Sequence, residues 1–310
     1  MMAVTNPILA IVGPTASGKS SLALEIARRR SAEILSIDSM QIYKGMNIGT
    51  AKPSAIEQSL VVHHLIDVAA ANESFSAARF VELADAAIAS AQSRNRPLVA
   101  TGGTPMYFKA LFDGLFEGPG ADEAIRERLN QLPTEELHQR LRQVDPEAAG
   151  RIHMADRKRL VRALEVFEQT GVAISSLQTQ WAARKPRHHT VWVGLLWEKS
   201  ALNRRINARV QQMIAAGWVD EVRHLLAQPA GLSPTATQAT GYRELIDHIQ
   251  GRMSLEDAIE QIKIATRQLA RRQMKWLRRF ANVTWLEGDG PMETLVERTL
   301  AAWDAERVVG

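Results

Sequence analysis

Gly13, Pro14, Thr15, Ala16, Ser17, Gly18, Lys19 and Ser20 spell a complete G-x-x-x-x-G-K-[ST] phosphate loop. An apolar run at 8–12 precedes it. An amphipathic stretch at 21–30 follows, with Leu22, Ala23 and Ile26 on one side. Strand, glycine-rich turn, helix is the context in which the pattern works. The glycines let backbone N–H groups converge on phosphate oxygens, and the helix N-terminus adds partial positive charge. Lys19 is placed to neutralise an outer phosphate, and the Ser20 hydroxyl to ligate Mg²⁺. A diphosphate and a triphosphate satisfy this loop equally. An ATP-like nucleotide therefore stays open as ligand at this point, and Asp38 stays open between metal ligand and base.

The pattern continues past the loop. A second strand is expected at 33–37, ending at Asp38, then a helix over 76–93. A third strand at 97–100 runs into Thr101-Gly102-Gly103-Thr104. Strands alternating with helices imply an α/β fold, a parallel sheet flanked by helices as in P-loop NTPases. Gly118-Pro119-Gly120 breaks the pattern. From 122 to about 180 nearly everything reads as helix. Asp156 is the expected cap of one helix and Gly171 its stop. Residues 184–189 read as a linker. Strand character returns at 190–197, helical stretches follow near 200–228 and 254–280, and 283–286 reads as a late strand. The expected domains are a core at 1–118, an all-helical insertion at 119–188 and the core resumed at 189–310.

Charge and composition narrow the chemistry. There is no cysteine, which excludes disulfides and thiolate metal sites and fits the cytoplasm. No apolar run approaches the roughly 20 residues that span a bilayer, so no membrane role is expected. Net charge is +4, but residues 1–120 carry 10 basic and 10 acidic side chains, against 28 and 24 over 121–310. The excess lies in the second part, where a polyanion could bind. Lys263, Arg267, Arg271 and Lys275 recur every four residues, with Arg278 on the same side. No acid lies between Lys263 and Arg279, so this face is expected to meet phosphate backbone. Arg205 and Arg209 form a second pair four residues apart. Adjacent His63 and His64, on a strand, would face opposite ways and are not expected to share a metal.

Asp38-Ser39-Met40-Gln41 and the residues to Pro53, Gly102-Gly103-Thr104 and the residues to Leu111, Arg162-Ala163-Leu164-Glu165, Gly241-Tyr242-Arg243 and the run from Ala265 to Gln273 together resemble the tRNA dimethylallyltransferase family. The likeness extends over about residues 8–280. It implies a nucleoside-kinase-like core with a helical insertion. It also implies that the loop holds the diphosphate of dimethylallyl diphosphate, with Mg²⁺ as cofactor. The acceptor would be the exocyclic amine of the adenosine 3′ of the anticodon, in the tRNA anticodon stem-loop. By the same likeness Asp38 would be the general base and Thr104 would contact the adenosine. At least one of Arg205 and Arg209 would close on the diphosphate. Ser39, Met40, Gln41, Arg126, Lys158, Arg159, Arg162, Tyr242, Arg243, Arg267, Arg271 and Arg272 would meet tRNA. The chain departs from the family at Thr101, Pro105, Lys158 and Thr240, none of which removes a polar role. A monomer is expected. A small-molecule kinase would not need the basic helical half. An enzyme acting on free adenine nucleotides would not need the insertion. A non-catalytic RNA binder would not need Lys19, Ser20 and Asp38 intact.

Overall fold

The computed structural model describes residues 6–114, 118–182 and 186–306, with the backbone alone for 179–182. The chain opens with β1 (Ile8–Val12), α1 (Lys19–Arg30), β2 (Glu33–Ser36), α2 (Ala55–Leu60), β3 (His63–His64), α3 (Ala77–Ser93), β4 (Leu98–Thr101) and α4 (Pro105–Phe112). Five helices follow: α5 (Glu123–Asn130), α6 (Thr134–Val144), α7 (Pro146–Arg151), α8 (Arg157–Thr170) and α9 (Ile174–Ala182). Then come β5 (Thr190–Leu196), α10 (Lys199–Ala215), α11 (Trp218–Leu226), a short 3₁₀ turn (Ala236–Gln238), α12 (Tyr242–Ile249), α13 (Leu255–Leu277), β6 (Val283–Glu287) and α14 (Met292–Ala305).

The six strands form one sheet in the order β3-β2-β4-β1-β5-β6, with every neighbouring pair parallel. β1 lies inside it, and its side chains alternate between two cores as a period of two requires. Leu9 and Ile11 pack with Leu22 and Ile26 of α1 and with Leu295, Val296 and Trp303 of α14. Ile8, Ala10 and Val12 join the opposite core with Phe80, Phe108, Trp218, Tyr242 and Leu277. Burial on both faces is why the strands read as unbroken apolar runs.

The chain divides between Phe112 and Asp113 and again between Arg187 and His188 into two compact units. The expected boundaries stood at 118/119 and 188/189. The smaller unit has a core of its own, in which Leu129, Leu137, Leu141, Leu160, Leu164 and Val166 are buried. Buried Asp145 accepts the N–H groups of Ala148 and Ser175, both at 2.9 Å, and so ties α7 to α9. Asp156 caps α8 and Gly171 ends it at φ 69°.

Two expectations shift in detail. The second strand stops at Ser36, though the Ile37 N–H still donates to Thr101 O at 2.8 Å. The two-residue β3, with α2, is an addition: a pairing that short has no periodicity to read. Residues 183–185 of the expected linker lie outside the described residues.

Candidate active site

Three loops leave the carboxyl ends of three neighbouring parallel strands: 13–18 after β1, 37–41 after β2 and 102–104 after β4. Open α/β sheets hold their ligands at this edge. The loops approach closely because two positions are glycine. A Cβ on Gly102 would stand 2.0 Å from Ile37 O. Gly18 adopts φ 88° as the cap from which α1 starts, a conformation costly for other residues.

The phosphate loop is braced from outside. The Trp197 Nε1–H donates to Ser17 O at 3.0 Å, and the Arg205 Nε–H donates to Ala16 O at 2.8 Å. The Arg205 guanidinium lies 4.4 Å over the Trp197 ring. Lys19 Nζ donates to Pro14 O at 3.2 Å. The Thr15 N–H donates to Gln273 Oε1 at 2.8 Å, and Gln273 Nε2 donates to Gly103 O at 2.6 Å.

Asp38 sits beside this loop. Its Oδ1 accepts the N–H groups of Met40 at 2.9 Å and Gln41 at 3.4 Å. Its Oδ2 lies 2.9 Å from where a Cβ on Gly103 would stand. Thr104 Oγ1 accepts the Ser39 N–H at 2.9 Å and donates to Ser39 Oγ at 3.1 Å. Pro105 opens α4, where its missing N–H costs nothing, and Thr104 directly precedes it.

These groups line one cavity of about 690 Å³, inside the usual range for small-ligand sites. Lys19, Arg205 and Arg209 line it beside the loop, and Lys52 lines it too, paired with Asp67 at 2.6 Å. Met40, Val210, Met213, Trp218 and Leu269 supply apolar wall. Burial, then the Arg209 charge, push the Lys19 ammonium down to about 8, with Asp38 pulling the other way. Burial lowers Arg209 too, against Asp38. Cations held at such cost are poised for an anion. Ser17 Oγ and Trp218 Nε1 are buried without a hydrogen-bond partner among the described residues, and both residues line the cavity.

Of the residues expected at the phosphate loop and its edge, Thr15 to Ser20, Asp38, Ser39, Met40, Gln41, Thr104, Arg205 and Arg209 line this cavity; Gly13 and Pro14, which open the loop, do not. The Gln41 side chain is fully engaged within the protein. It donates to Thr50 O and Ala51 O at 3.2 and 3.0 Å and accepts from Ser36 Oγ at 2.9 Å.

Tyr242 requires correction. It is fully buried, and its hydroxyl donates to Glu221 Oε1 at 2.7 Å. Gly241, at φ 95°, packs so tightly on Trp218 that a Cβ would lie 2.1 Å from the indole. The turn there sends Tyr242 into the core, away from any RNA. Its partner Glu221 accepts the backbone N–H groups of Asn47, Ile48 and Gly49 at 2.8, 2.6 and 3.2 Å, so both residues secure the loop that lines the cavity. Arg243 beside it is exposed.

The basic stripe is also corrected. Lys263 is only 12% exposed and pairs with Glu260, one turn back, at 2.7 Å. Glu260 lies just N-terminal to the acid-free stretch from Lys263 to Arg279. Arg267 donates to Asn207 Oδ1 at 2.8 Å. Arg271, Arg272, Lys275, Arg278 and Arg279 are exposed.

In the helical unit, Glu165 is fully buried and holds Arg126 Nε at 2.8 Å and Arg162 Nη1 at 2.6 Å. Those hydrogen bonds keep its carboxyl below the usual range despite burial. Arg157, Lys158 and Arg159 fill the first turn of α8, which contains no acid. Three cations there oppose the helix dipole, an arrangement that favours an external anion. Among the described residues no cluster of three or more His, Cys, Asp or Glu could hold a metal. No described helix is long and apolar enough to cross a membrane.

Gln273, Trp197 and Glu221 were not anticipated as site residues. Gln273 alone left a readable sign, a polar residue on the stripe Ile262, Ala270, Leu277 that α13 buries.

Comparison with known proteins gives one direction. A family model described as IPP transferase matches residues 41–280. The chain is 42% identical to a tRNA dimethylallyltransferase of Geobacter metallireducens, over 94% of this chain and 96% of that one. It is 45% identical to one of Symbiobacterium thermophilum, over 92% and 90%. A crystal structure of the tRNA isopentenylpyrophosphate transferase of Bacillus halodurans superposes with a TM-score of 0.72 at 36% identity, covering 98% of both chains. A eukaryotic dimethylallyltransferase, described as acting on tRNA, gives 0.79 at 25% identity, covering 98% of this chain and 78% of that one.

Proposed function

The chain belongs to the IPP transferase family, and on that premise we infer that it transfers a dimethylallyl group from dimethylallyl diphosphate to tRNA. The acceptor is the exocyclic amine of the adenosine 3′ of the anticodon, and diphosphate leaves. The observation that carries this reading is the meeting, in one cavity, of the phosphate loop with Lys19 and the Asp38 carboxylate.

The chemistry follows from the groups. The adenine amine is a weak nucleophile because its lone pair is delocalised into the ring. As it attacks the allylic carbon the N–C bond forms, the C–O bond to diphosphate breaks, and the amine proton passes to Asp38. The bond electrons leave on the diphosphate, whose growing charge faces Lys19, Arg205, Arg209 and the loop amides. These cations, Lys19 the most buried of them, favour that charge most in the transition state, where it is largest. Thr104 orients the acceptor beside Asp38.

Mg²⁺ fits this site as a partner of the diphosphate. Ser20 is exposed in the first turn of α1, and among the described residues no cluster of three or more carboxylates or histidines competes for the ion. Ser20 would hold it, and it would neutralise leaving-group charge.

For the RNA, we assign backbone contact to Arg126, Lys158, Arg159 and Arg162 in the helical unit and to Arg243, Arg271 and Arg272 in the other, with Ser39 and Met40 at the cavity. On the same reading the enzyme acts in the cytoplasm and as a monomer. The deciding experiment incubates the protein with dimethylallyl diphosphate, Mg²⁺ and undermodified tRNA, without ATP, and reads nucleosides by mass spectrometry. Stoichiometric prenylated adenosine is expected. No prenylated adenosine, with a phosphoryl group moved from ATP to an acceptor when ATP is added, would instead mark a phosphotransferase.

A further inference from the structure

We propose that Gln273 is a positioning residue that fixes the donor loop and the acceptor-side loop in one register. The proposal rests on the cavity being the transfer site, and it concerns a residue outside the reacting groups.

Gln273 sits on the buried stripe of α13, 5% exposed. A buried primary amide is costly unless both its ends are paired. Here both are. Its oxygen accepts the Thr15 N–H of the phosphate loop, and its nitrogen donates to the Gly103 carbonyl. Glutamine and asparagine alone carry an acceptor and a strong donor on one carbon, which is what bridging an N–H to a C=O requires. Both anchors are backbone groups on loops that follow the paired strands β1 and β4. The strands fix where the loops begin, and Gln273 fixes where their tips stand. The Thr15 amide, being committed, is also withdrawn from the set available to a diphosphate.

The clamp lies beside the proposed base. Gln273 Nε2 and Asp38 Oδ2 lie 3.1 and 2.9 Å from the same point, the place a Cβ on Gly103 would occupy. Donor loop and acceptor loop thus share one brace, with the base next to it. The opposite side of the same helix exposes Arg271 and Arg272. Transfer needs the allylic carbon and the amine held within a near-attack distance, and a displacement of about 1 Å can cost on the order of a hundredfold.

Two substitutions test this. Gln273→Met keeps the volume and loses both hydrogen bonds. Gln273→Glu keeps an acceptor for Thr15, loses the donor to Gly103, and sets a second carboxylate beside Asp38. Both are assayed by single-turnover kinetics with dimethylallyl diphosphate and undermodified tRNA, normalised to folded protein by active-site titration. Gln273→Met is expected to lower the rate about ten- to a hundredfold and raise donor KM, with tRNA affinity unchanged. Gln273→Glu is expected to keep donor KM near the parent and lose rate. Its like charge also moves the acid limb of the pH–rate profile upward. If both variants match the parent per folded molecule, even with a lowered Tm, Gln273 is packing and the proposal falls. If the methionine variant does not fold, the glutamate variant alone decides by the same criteria. If the acid limb stays put and Asp38→Asn keeps its rate, the base assignment falls. The clamp then still stands on the split between rate and donor KM.

Discussion

In the cavity, buried Lys19 and half-buried Arg209 lose part of their affinity for protons, whereas on the last turns of α13 and just beyond, Arg271, Arg272, Lys275, Arg278 and Arg279 stand in solvent. None of the five has an ion-pair partner among the described residues. The difference separates two uses of one charge. A desolvated cation acts over a few ångströms, is little screened by salt, and can favour a transition state over a ground state. A solvated cation acts over the screening length, about 8–10 Å at ordinary ionic strength, and contributes binding that salt erodes. One set should govern chemistry and the other should govern encounter.

The largest effect that would break this contrast belongs to the buried set. Lys19→Ala should lower the single-turnover rate about a hundred- to a thousandfold, with tRNA affinity and its salt dependence unchanged. A salt-sensitive rate defect in this variant would erase the distinction.

Next comes the exposed set. Reversing Arg271 and Arg272 to Glu should weaken tRNA binding about tenfold and reduce the slope of log K against log salt by about two. Donor KM and the chemical step at saturating tRNA should stay as in the parent. Binding titrations at several salt concentrations measure the slope.

The smallest effect sharpens the contrast through pH. Free Lys19 titrates near 8, against an ordinary 10.5, because burial disfavours its charge. The anionic donor favours the charged form, so donor binding takes up a proton above about pH 8, and donor affinity should fall several-fold by pH 9. Stability runs the other way. The unfolded chain holds that proton up to 10.5, so the cost of the buried cation, fully present below 8, is relieved as pH rises from 8 to 10.5. Calorimetry in buffers of differing ionisation enthalpy would register the proton uptake. Salt dependence of tRNA binding should not change over that range.

What could be read in advance follows the reach of each signal. The phosphate loop, the capped helix at 157–170 and the alternation of strands with helices are local patterns, complete within a few turns of chain. Asp38 was readable because a strand end marks it. Gln273 shows only as a polar residue on an apolar stripe; what it joins was not readable, because its partners Thr15 and Gly103 lie 258 and 170 residues away. Tyr242 misled for the same reason. The likeness carried by Gly241-Tyr242-Arg243 assigned it to tRNA, and only the packing of Gly241 against Trp218 shows that it turns inward. Lys263 misled because its partner Glu260 lies one turn before the acid-free stretch.

The sheet order has a consequence for how the chain is made. β1 pairs with β4 on one side and with β5 on the other, and β5 ends at Leu196. A nascent chain that has delivered its first 112 residues therefore leaves the strand behind the phosphate loop with one open edge. At the usual ~5–20 residues per second of synthesis, that edge waits on the order of 5–20 seconds for its partner. The helical unit, whose core residues run from Leu129 to Ile174, needs nothing from later in the chain and can fold during the pause.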